Sequence, residues 1–335
     1  MTADSEPGGG KEQDGQMSTI AARPLGTGGP AVSVVGLGCN NFGRPGSLTE
    51  TQDGTDAVID AAIDLGVTLF DTADIYGVPV GTSERLMGES LKGKRDRVVL
   101  ATKFGHDQFD TGLLPGVPKG SREYIRASID ASLARLQTDH VDLYQQHVPD
   151  PVTPIEETLG ALDELVWEGK VLHIGCTQFS AEQLTAADAA ARALGTARFI
   201  SAQSQYSLLE RSVEADVLPA ARALGLGFLP FFPLHNGLLT GKFTRTQRPA
   251  DSRIARQRPQ VADDAPWDVL ERYAAWCATN GVSMLQATFG WLLAQPGLTS
   301  VIAGATRPEQ VAQNVAAATW QPTAGQLEEI SAIFG

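Results

Sequence analysis

The sequence has few cysteines and a shortage of positive charge. Its three cysteines, Cys39, Cys176 and Cys277, are an odd, sparse set in 335 residues, which excludes a disulfide framework and is typical of reduced thiols in a cytoplasmic protein. None has a second cysteine or a histidine at zinc-site spacing, so no metal ion is expected. The formal net charge of -13 leaves no excess of basic residues for nucleic acid or an acidic membrane surface, and we expect neither as a partner.

Long hydrophobic runs are absent as well. No stretch approaches the ~20 apolar residues of a transmembrane helix. Residues 1–17 are polar and glycine-rich, unlike a signal peptide or a membrane anchor, and we expect them to be a disordered tail. Residues 18–335 are predicted to form a single domain, because 42% hydrophobic residues can fill one large core.

Short apolar runs alternate with amphipathic segments along this domain. The runs that predict strands are residues 32–40, 67–73, 98–104, 141–147, 171–177, 199–205, 226–232 and 300–305. Their continuous apolarity indicates parallel strands that are covered on both faces. Eight strand–helix alternations predict a (β/α)8 barrel. A doubly wound open sheet is the alternative, but no strand is followed by the G-x-G-x-x-G pattern of that fold.

Two further segments have a predicted place in the barrel. The glycine-rich turn in RPLGTGGPAVS, before the first barrel strand, predicts a β-hairpin that plugs the barrel floor. Residues 233–265 are the longest irregular stretch, and long loops in a compact domain are usually lids or binding loops.

Four polar residues lie at the ends of successive strand-like runs: Asp71, Tyr76, Lys103 and His147. In a (β/α)8 barrel such positions meet at one mouth, where the chemistry takes place. A phenol can protonate a carbonyl oxygen, a nearby ammonium stabilises the phenolate, a carboxylate holds the ammonium, and an imidazole orients the carbonyl. The set therefore predicts carbonyl reduction.

Two other barrel chemistries fit the residues less well. A glycosidase needs two acids at strand ends, and only Asp71 clearly occupies one. A metal-dependent enzyme could use His106, Asp107 and His147, but their spacing follows no metal motif.

From about residue 23 onward the chain resembles the aldo-keto reductases, and most of all their bacterial branch related to the potassium-channel β-subunits. The resemblance rests on GLGCNNFG, DTADIYG with SERLMGESL, ATKFG, DLYQQHVPDPVTPIEETLGALDELVWEGKVLHIG and AGATRPEQVAQN. It implies a (β/α)8 barrel that reduces carbonyl compounds with NADPH, with Tyr76 as the general acid. Lys103 and Asp71 would tune Tyr76, and His147 would orient the substrate carbonyl.

The resemblance also implies positions that bind NADP(H). Thr177-Gln178 stands where the family usually has Ser-Asn, and Phe231-Phe232 where it usually has Tyr-Ser. Phe231 keeps an aromatic plane that can stack on the nicotinamide. The full set of implied cofactor residues is Thr177, Gln178, Gln203 and Phe231 for the nicotinamide, Gly304, Thr306 and Arg307 for the adenosine 2′-phosphate, and Gln310 and Asn314 for the adenine.

The loops after the strands supply the candidates for substrate contacts, which are Asn41, Phe42, Phe104, His106 and Val148. The resulting hypothesis is reduction of a small-molecule aldehyde or ketone by NADPH. The alternative is a cofactor-binding redox sensor or partner subunit with vestigial catalysis, because fold does not fix function. The sequence gives no indication of the oligomeric state.

Overall fold

Eight parallel strands form a nearly closed barrel, as the alternating apolar runs predict. The computed structural model describes residues 20–250 and 252–335; the predicted tail, residues 1–17, lies outside them. The strands are β1 (Ala22–Pro24), β2 (Ala31–Ser33), β3 (Val35–Gly38), β4 (Leu69–Asp71), β5 (Val99–Phe104), β6 (Val141–Gln146), β7 (Val171–Thr177), β8 (Phe199–Gln205), β9 (Gly227–Phe231) and β10 (Val301–Gly304). The barrel order is β10-β3-β4-β5-β6-β7-β8-β9.

The barrel closes between β9 and the segment just before β10. The Phe228 amide donates to the Gly297 carbonyl at 3.1 Å, and the Thr299 amide donates to the Phe228 carbonyl at 2.9 Å. This parallel contact joins the two edges that the paired strands leave, so the barrel prediction is confirmed over the open-sheet alternative.

Helices cover the outside of the barrel. They are α1 (Gln52–Asp64), α2 (Thr82–Ser90), α3 (Arg122–Leu136), α4 (Ile155–Trp167), α5 (Ala181–Leu194), α6 (Val217–Ala223), α7 (Arg253–Gln257), α8 (Pro259–Asp263), α9 (Trp267–Thr279), α10 (Met284–Leu293), α11 (Pro308–Ala317) and α12 (Ala324–Phe334). Polar side chains cap the first turns of several of them: Ser121 accepts from the Tyr124 amide, and Ser180 forms a capping box with Gln183. Gly195 ends α5 in a left-handed conformation.

The first apolar run differs from its predicted form. Residues 32–40 were expected to be one strand, but the chain divides them at Val34 into β2 and β3. The reason is that β2 pairs antiparallel with β1, while β3 pairs parallel with β4 and β10. An apolar run alone does not show where the chain leaves a hairpin and enters a barrel.

The β1–β2 hairpin closes the N-terminal end of the barrel. Leu25 and Val32 are fully buried and pack among the inward-facing strand residues, which are Leu69, Ala101, Leu143, Leu229 and Ile302. Arg23 ties the hairpin to the barrel by donating to the carbonyls of Leu293 and Leu298, at 2.8 and 2.7 Å. The hairpin therefore supplies part of the barrel core and is the plug that its glycine-rich turn predicts.

We expect Gly26→Ala to destabilise the protein much more than Gly28→Ala. Both glycines have positive φ, +72° and +81°, which costs a residue with a side chain about 1–2 kcal/mol. A Cβ at Gly26 would also lie 2.0 Å from the Ile200 carbonyl oxygen, whereas one at Gly28 would meet nothing within 4 Å. Gly26→Ala should therefore lower the free energy of unfolding by on the order of 4 kcal/mol, measured by urea denaturation. Equal losses in the two variants would contradict a tight hairpin–floor contact.

Candidate active site

A buried ion pair joins the C-terminal ends of β4 and β5. The Lys103 Nζ donates to Asp71 Oδ2 at 2.6 Å and to the Thr72 carbonyl at 2.8 Å. Lys103 is completely buried and Asp71 nearly so. A charge without a partner would be very costly there, so each residue requires the other.

Two glutamine amides complete the surroundings of Asp71. Gln145 on β6 and Gln203 on β8 each donate from Nε2 to Asp71 Oδ1 at 3.2 Å. Asp71 thus accepts from three side chains on three different strands. The strand ends are held in a fixed relation, and Lys103 has one defined position in the barrel mouth.

Tyr76 lies above this pair. The Lys103 Nζ is 5.2 Å from the centroid of the Tyr76 ring. Burial alone would disfavour the charge on Lys103, but attraction to Asp71, and then to Tyr76, outweighs it and raises the pKa of the ammonium. Lys103 therefore stays charged beside the phenol, and a positive charge at this place stabilises a phenolate.

His147 completes the set as a neutral imidazole. Its ring meets Tyr76 edge-on at 6.0 Å between centroids, and it meets the ring of His106 in the same way at 4.7 Å. Burial lowers the pKa of His147 well below its usual range, and repulsion from Lys103 and His106 lowers it further. At neutral pH the ring can therefore act as a hydrogen-bond donor without carrying a charge.

The backbone of His147 is held from β7. Both the Thr177 hydroxyl and the Gln178 amide donate to the His147 carbonyl, the second at 3.2 Å. Gln178 has a left-handed backbone, with φ of +60°, which turns its side chain towards this carbonyl and into the mouth. Thr177 and Gln178 therefore position His147. Any contact that they make with a ligand would be additional.

A buried acid lies behind the Tyr76 loop. Asp74 is 3% exposed, and its nearest side-chain donor is the Ser128 hydroxyl at 3.5 Å. Burial raises the pKa of Asp74 to about 7, with a further contribution from the negative charge of Glu84. Glu84 itself is neutralised by Arg135, whose Nε donates to it at 2.7 Å. Asp74 is therefore an acid that loses its proton near neutral pH.

One cavity of about 1250 Å³ contains the barrel mouth and extends to the start of α11. It is lined by three of the four catalytic candidates, Asp71, Tyr76 and His147, and Lys103 lies directly beneath them. The cofactor candidates that line it are Gln178, Phe231, Gly304, Thr306, Gln310 and Asn314. The arrangement brings a phenol and an aromatic face into one cavity that extends from the barrel mouth to the start of α11.

The other candidates do not line the cavity; they are Thr177, Gln203, Phe42, Phe104, Val148 and Arg307, of which Arg307 directly precedes α11 beside the cavity residue Thr306. Thr177 and Gln203 are buried, and their side chains are engaged with the His147 carbonyl and with Asp71. Phe42 and Phe104 are fully buried in the hydrophobic core, where Phe104 packs on Tyr144 at 4.7 Å between ring centroids. A substrate cannot reach either phenylalanine in this structure. Both aromatic side chains pack in the core because the backbone near the strand ends turns them away from the mouth.

Several residues of the cavity were not among the sequence candidates. The substrate candidates that line it are Asn41 and His106, and the additional lining side chains include Arg44, Val78, Phe109, Phe232, Arg256 and Arg258. Arg44 follows the motif NNFG directly, so its position in the loop after β3 was a usable signal. Arg256 and Arg258 had a weaker signal, as two of several arginines in a long loop that was predicted to border the site.

Within residues 20–250 and 252–335 no group of three or more His, Cys, Asp and Glu side chains could hold a metal ion. In the same part of the chain, no helix combines the length and apolarity that crossing a membrane requires.

Known proteins are similar in sequence to this chain over nearly its whole length. A sequence model described as "Aldo/keto reductase family" matches residues 34–334. The chain is 35% identical to the "L-glyceraldehyde 3-phosphate reductase" of Escherichia coli (strain K12) over 319 residues, which cover 91% of this chain and 89% of that protein. It is 38% identical to the "Uncharacterized oxidoreductase YrpG" of Bacillus subtilis (88% and 89% covered) and 34% identical to the "Probable aldo-keto reductase 1" of Glycine max (91% and 86% covered).

We expect Asp74→Asn to stabilise the protein increasingly as the pH rises from about 4 to 7, and by a constant amount above this window. A folded-state pKa of about 7 means that, between about pH 4 and 7, the folded protein retains a proton that the unfolded chain has lost. Wild-type stability should therefore fall as the pH rises through this window. Asn cannot ionise, so the variant should exceed wild type by up to ~4 kcal/mol at pH 8.5.

The measurement is chemical denaturation at several values between pH 4 and 9. Asp96→Asn, a change at an exposed aspartate, is the matched control and should follow the wild-type profile. A constant difference between Asp74→Asn and wild type at every pH would show that Asp74 does not titrate in this range.

Proposed function

The chain belongs to the aldo/keto reductase family, and we propose that it reduces small aldehydes or ketones to alcohols with NADPH. The observation that carries the proposal is the buried Asp71–Lys103 pair with Tyr76 above it, in the same cavity as a neutral His147. This is the set of groups that protonation of a developing alkoxide requires.

The residues of the cavity fit a nicotinamide dinucleotide. Gly304 lines the cavity, and a Cβ there would lie 2.8 Å from the Asn41 amide nitrogen, so a side chain would compete for space with a neighbouring wall residue. Phe231 would offer its ring face to the nicotinamide, and Gln178 its amide. Thr306, Gln310 and Asn314 would hold the adenosine end near the start of α11, and Arg307 the 2′-phosphate, where charge and helix dipole act together.

The proposed chemistry divides between the cofactor and the protein. When bound, the nicotinamide supplies a hydride to the carbonyl carbon. Tyr76 donates its hydroxyl proton to the carbonyl oxygen, which would otherwise carry the negative charge. Lys103 stabilises the phenolate that remains, and Asp71 keeps Lys103 charged and in place. His147, being neutral, donates a hydrogen bond to the same carbonyl oxygen and orients it.

We expect Tyr76→Phe to abolish NADPH-dependent turnover of aldehydes while leaving the Kd for NADPH nearly unchanged. The substitution removes the proton donor and retains the ring. Tyr124→Phe, at a tyrosine on α3 whose hydroxyl contacts Thr111, is the matched control and should retain activity. The measurements are NADPH oxidation against a panel of aldehydes and fluorescence titration of NADPH. A Tyr76→Phe enzyme with wild-type kcat would disprove the acid role.

The same assays separate the reductase from the sensor hypothesis. Tight binding of NADPH by the wild-type protein without turnover of any aldehyde or ketone would favour a cofactor-loaded sensor or partner subunit.

We expect Arg307→Ser to raise the Kd for NADPH by roughly 10- to 100-fold and to change the Kd for NADH little. A charge-assisted hydrogen bond to the 2′-phosphate contributes about 1.5–3 kcal/mol, and NADH lacks this phosphate. Arg85→Ser, at an exposed arginine on α2, is the control. Fluorescence titration with both nucleotides is the measurement, and a parallel loss of affinity for NADH would show that Arg307 does not select the phosphate.

A further inference from the structure

Three arginines border the cavity that contains Tyr76 and His147. Arg44 comes from the loop after β3, while Arg256 and Arg258 come from the long segment between β9 and α9, where Arg256 lies in α7 and Arg258 stands between α7 and α8. We refer to Arg44, Arg256 and Arg258 as the arginine cluster. Sequence reasoning assigned none of them a role, and the proposed reduction as described above does not use them.

The cluster is held in place by neutral groups. Arg44 donates from Nε to the Asn40 carbonyl at 2.6 Å and from Nη1 to Gln257 Oε1 at 3.2 Å. Arg256 donates to the Gly46 carbonyl. These contacts tie the loop after β3 to α7 beside the mouth. The Arg258 guanidinium carbon lies 5.5 Å from the centroid of the Phe232 ring. These contacts fix the guanidinium groups without neutralising them.

Carboxylate side chains are scarce in the lining of this cavity. Among the described residues that line the cavity, the one carboxylate is Asp71, which Lys103 already neutralises, against four cations: the cluster and Lys242. Within residues 20–250 and 252–335, no Asp or Glu oxygen lies within 4 Å of a cluster nitrogen, although ten other arginines form such ion pairs: Arg95, Arg97, Arg122, Arg126, Arg135, Arg192, Arg198, Arg211, Arg245 and Arg248. In a chain with a net charge of -13, unneutralised arginines at one place point to an anionic ligand.

Arg44 interacts electrostatically with Tyr76 and with Arg258. Burial lowers the pKa of Arg44; Tyr76 opposes this shift by attraction, and Arg258 adds to it by repulsion. The guanidinium groups of Arg44 and Arg258 and the phenol of Tyr76 therefore share one electrostatic environment. Arg44, Arg258 and Tyr76 also line the same cavity, so a negative group bound between the arginines would reduce their repulsion while the rest of its molecule lies in the cavity that contains the phenol.

We propose that the arginine cluster binds a carboxylate or phosphate group on the substrate, so that the preferred substrates are anionic aldehydes or ketones. The inference rests on the proposed reductase function and specifies its substrate class. The anion is held at Arg44 and Arg258 while the carbonyl lies at Tyr76 and His147. A guanidinium group suits both anions because its donors match two oxygens at once.

The test compares matched charged and neutral substrates with NADPH. Succinic semialdehyde is paired with butanal, and glyceraldehyde 3-phosphate with glyceraldehyde, so the two pairs distinguish a carboxylate from a phosphate. The wild-type enzyme should show a higher kcat/KM for the charged member of at least one pair. In Arg44→Gln and Arg258→Gln, this charged-to-neutral ratio should fall by roughly 10- to 100-fold, as expected for loss of one charge-assisted contact.

Two further variants separate charge from structure. Arg44→Lys keeps the positive charge and should retain part of the ratio. Arg245→Gln removes an arginine from the same long segment, where Arg245 pairs with Asp268 and Glu271 on the surface, and it should leave the ratio and the activity at the wild-type level. High ionic strength should weaken discrimination by the wild-type enzyme, because screening reduces attraction between charges.

The possible outcomes are distinct. Equal kcat/KM for charged and neutral members in the wild type would overturn the inference and leave the reductase function intact. An unchanged ratio in Arg44→Gln, with a raised Kd for NADPH, would also overturn it, because the cluster would then bind a cofactor phosphate.

A binding measurement keeps the inference testable if no aldehyde is turned over, which would be a failure of the proposed function. In calorimetric titrations of the NADP⁺-loaded protein with 4-hydroxybutyrate and with inorganic phosphate, the wild type should bind at least one, and Arg44→Gln should bind it at least 10-fold more weakly. Absence of binding, or equal binding by both proteins, would overturn the inference.

Discussion

The burial of the Lys103 ammonium is the constraint on which the rest of the site depends. An ammonium with no exposed surface needs a counter-charge and hydrogen-bond acceptors, and Asp71 and the Thr72 carbonyl supply them. Asp71 in turn needs donors, which Gln145 and Gln203 provide from strands across the barrel. Removing any member would leave a buried polar group without its partner. The network thus links the stability of the barrel mouth to the position of the charge that lies beneath Tyr76.

In the same network, Gln145 and Gln203 have a structural role, because their side-chain amides donate to Asp71. The family resemblance predicts that Gln203 binds the cofactor, but its amide here is already engaged with Asp71. A ligand contact to Gln203 would share that amide. The same holds for Thr177, whose hydroxyl supports the His147 carbonyl. Residues at the strand ends therefore build the floor of the cavity, and loop residues build its walls.

The fold and the centre of the site were accessible from sequence because both follow from short-range patterns. Eight apolar runs set the strands, and polar residues directly after them meet at the mouth by the geometry of a parallel barrel. Contacts between distant loops have no such pattern. Arg44 meets Gln257 across 213 positions, and nothing local indicates that contact. Phe42 and Phe104 show the converse, since a residue next to a strand end can turn into the core.

Backbone strain is concentrated where the strands β7 and β9 end in the cavity. In the described part of the chain, six residues other than glycine have positive φ, and four of them lie here: Gln178, Phe232, His235 and Asn236. Each such conformation costs about 1–2 kcal/mol, so the surrounding contacts must fix it. Gln178 gains its bond to the His147 carbonyl, and Phe232 turns its ring towards Arg258. The strained positions are therefore those that link His147 to the end of β7 and the arginine cluster to the end of β9. A substitution that relaxed the backbone at either place would displace His147 or Arg258, even with the Asp71–Lys103 pair intact.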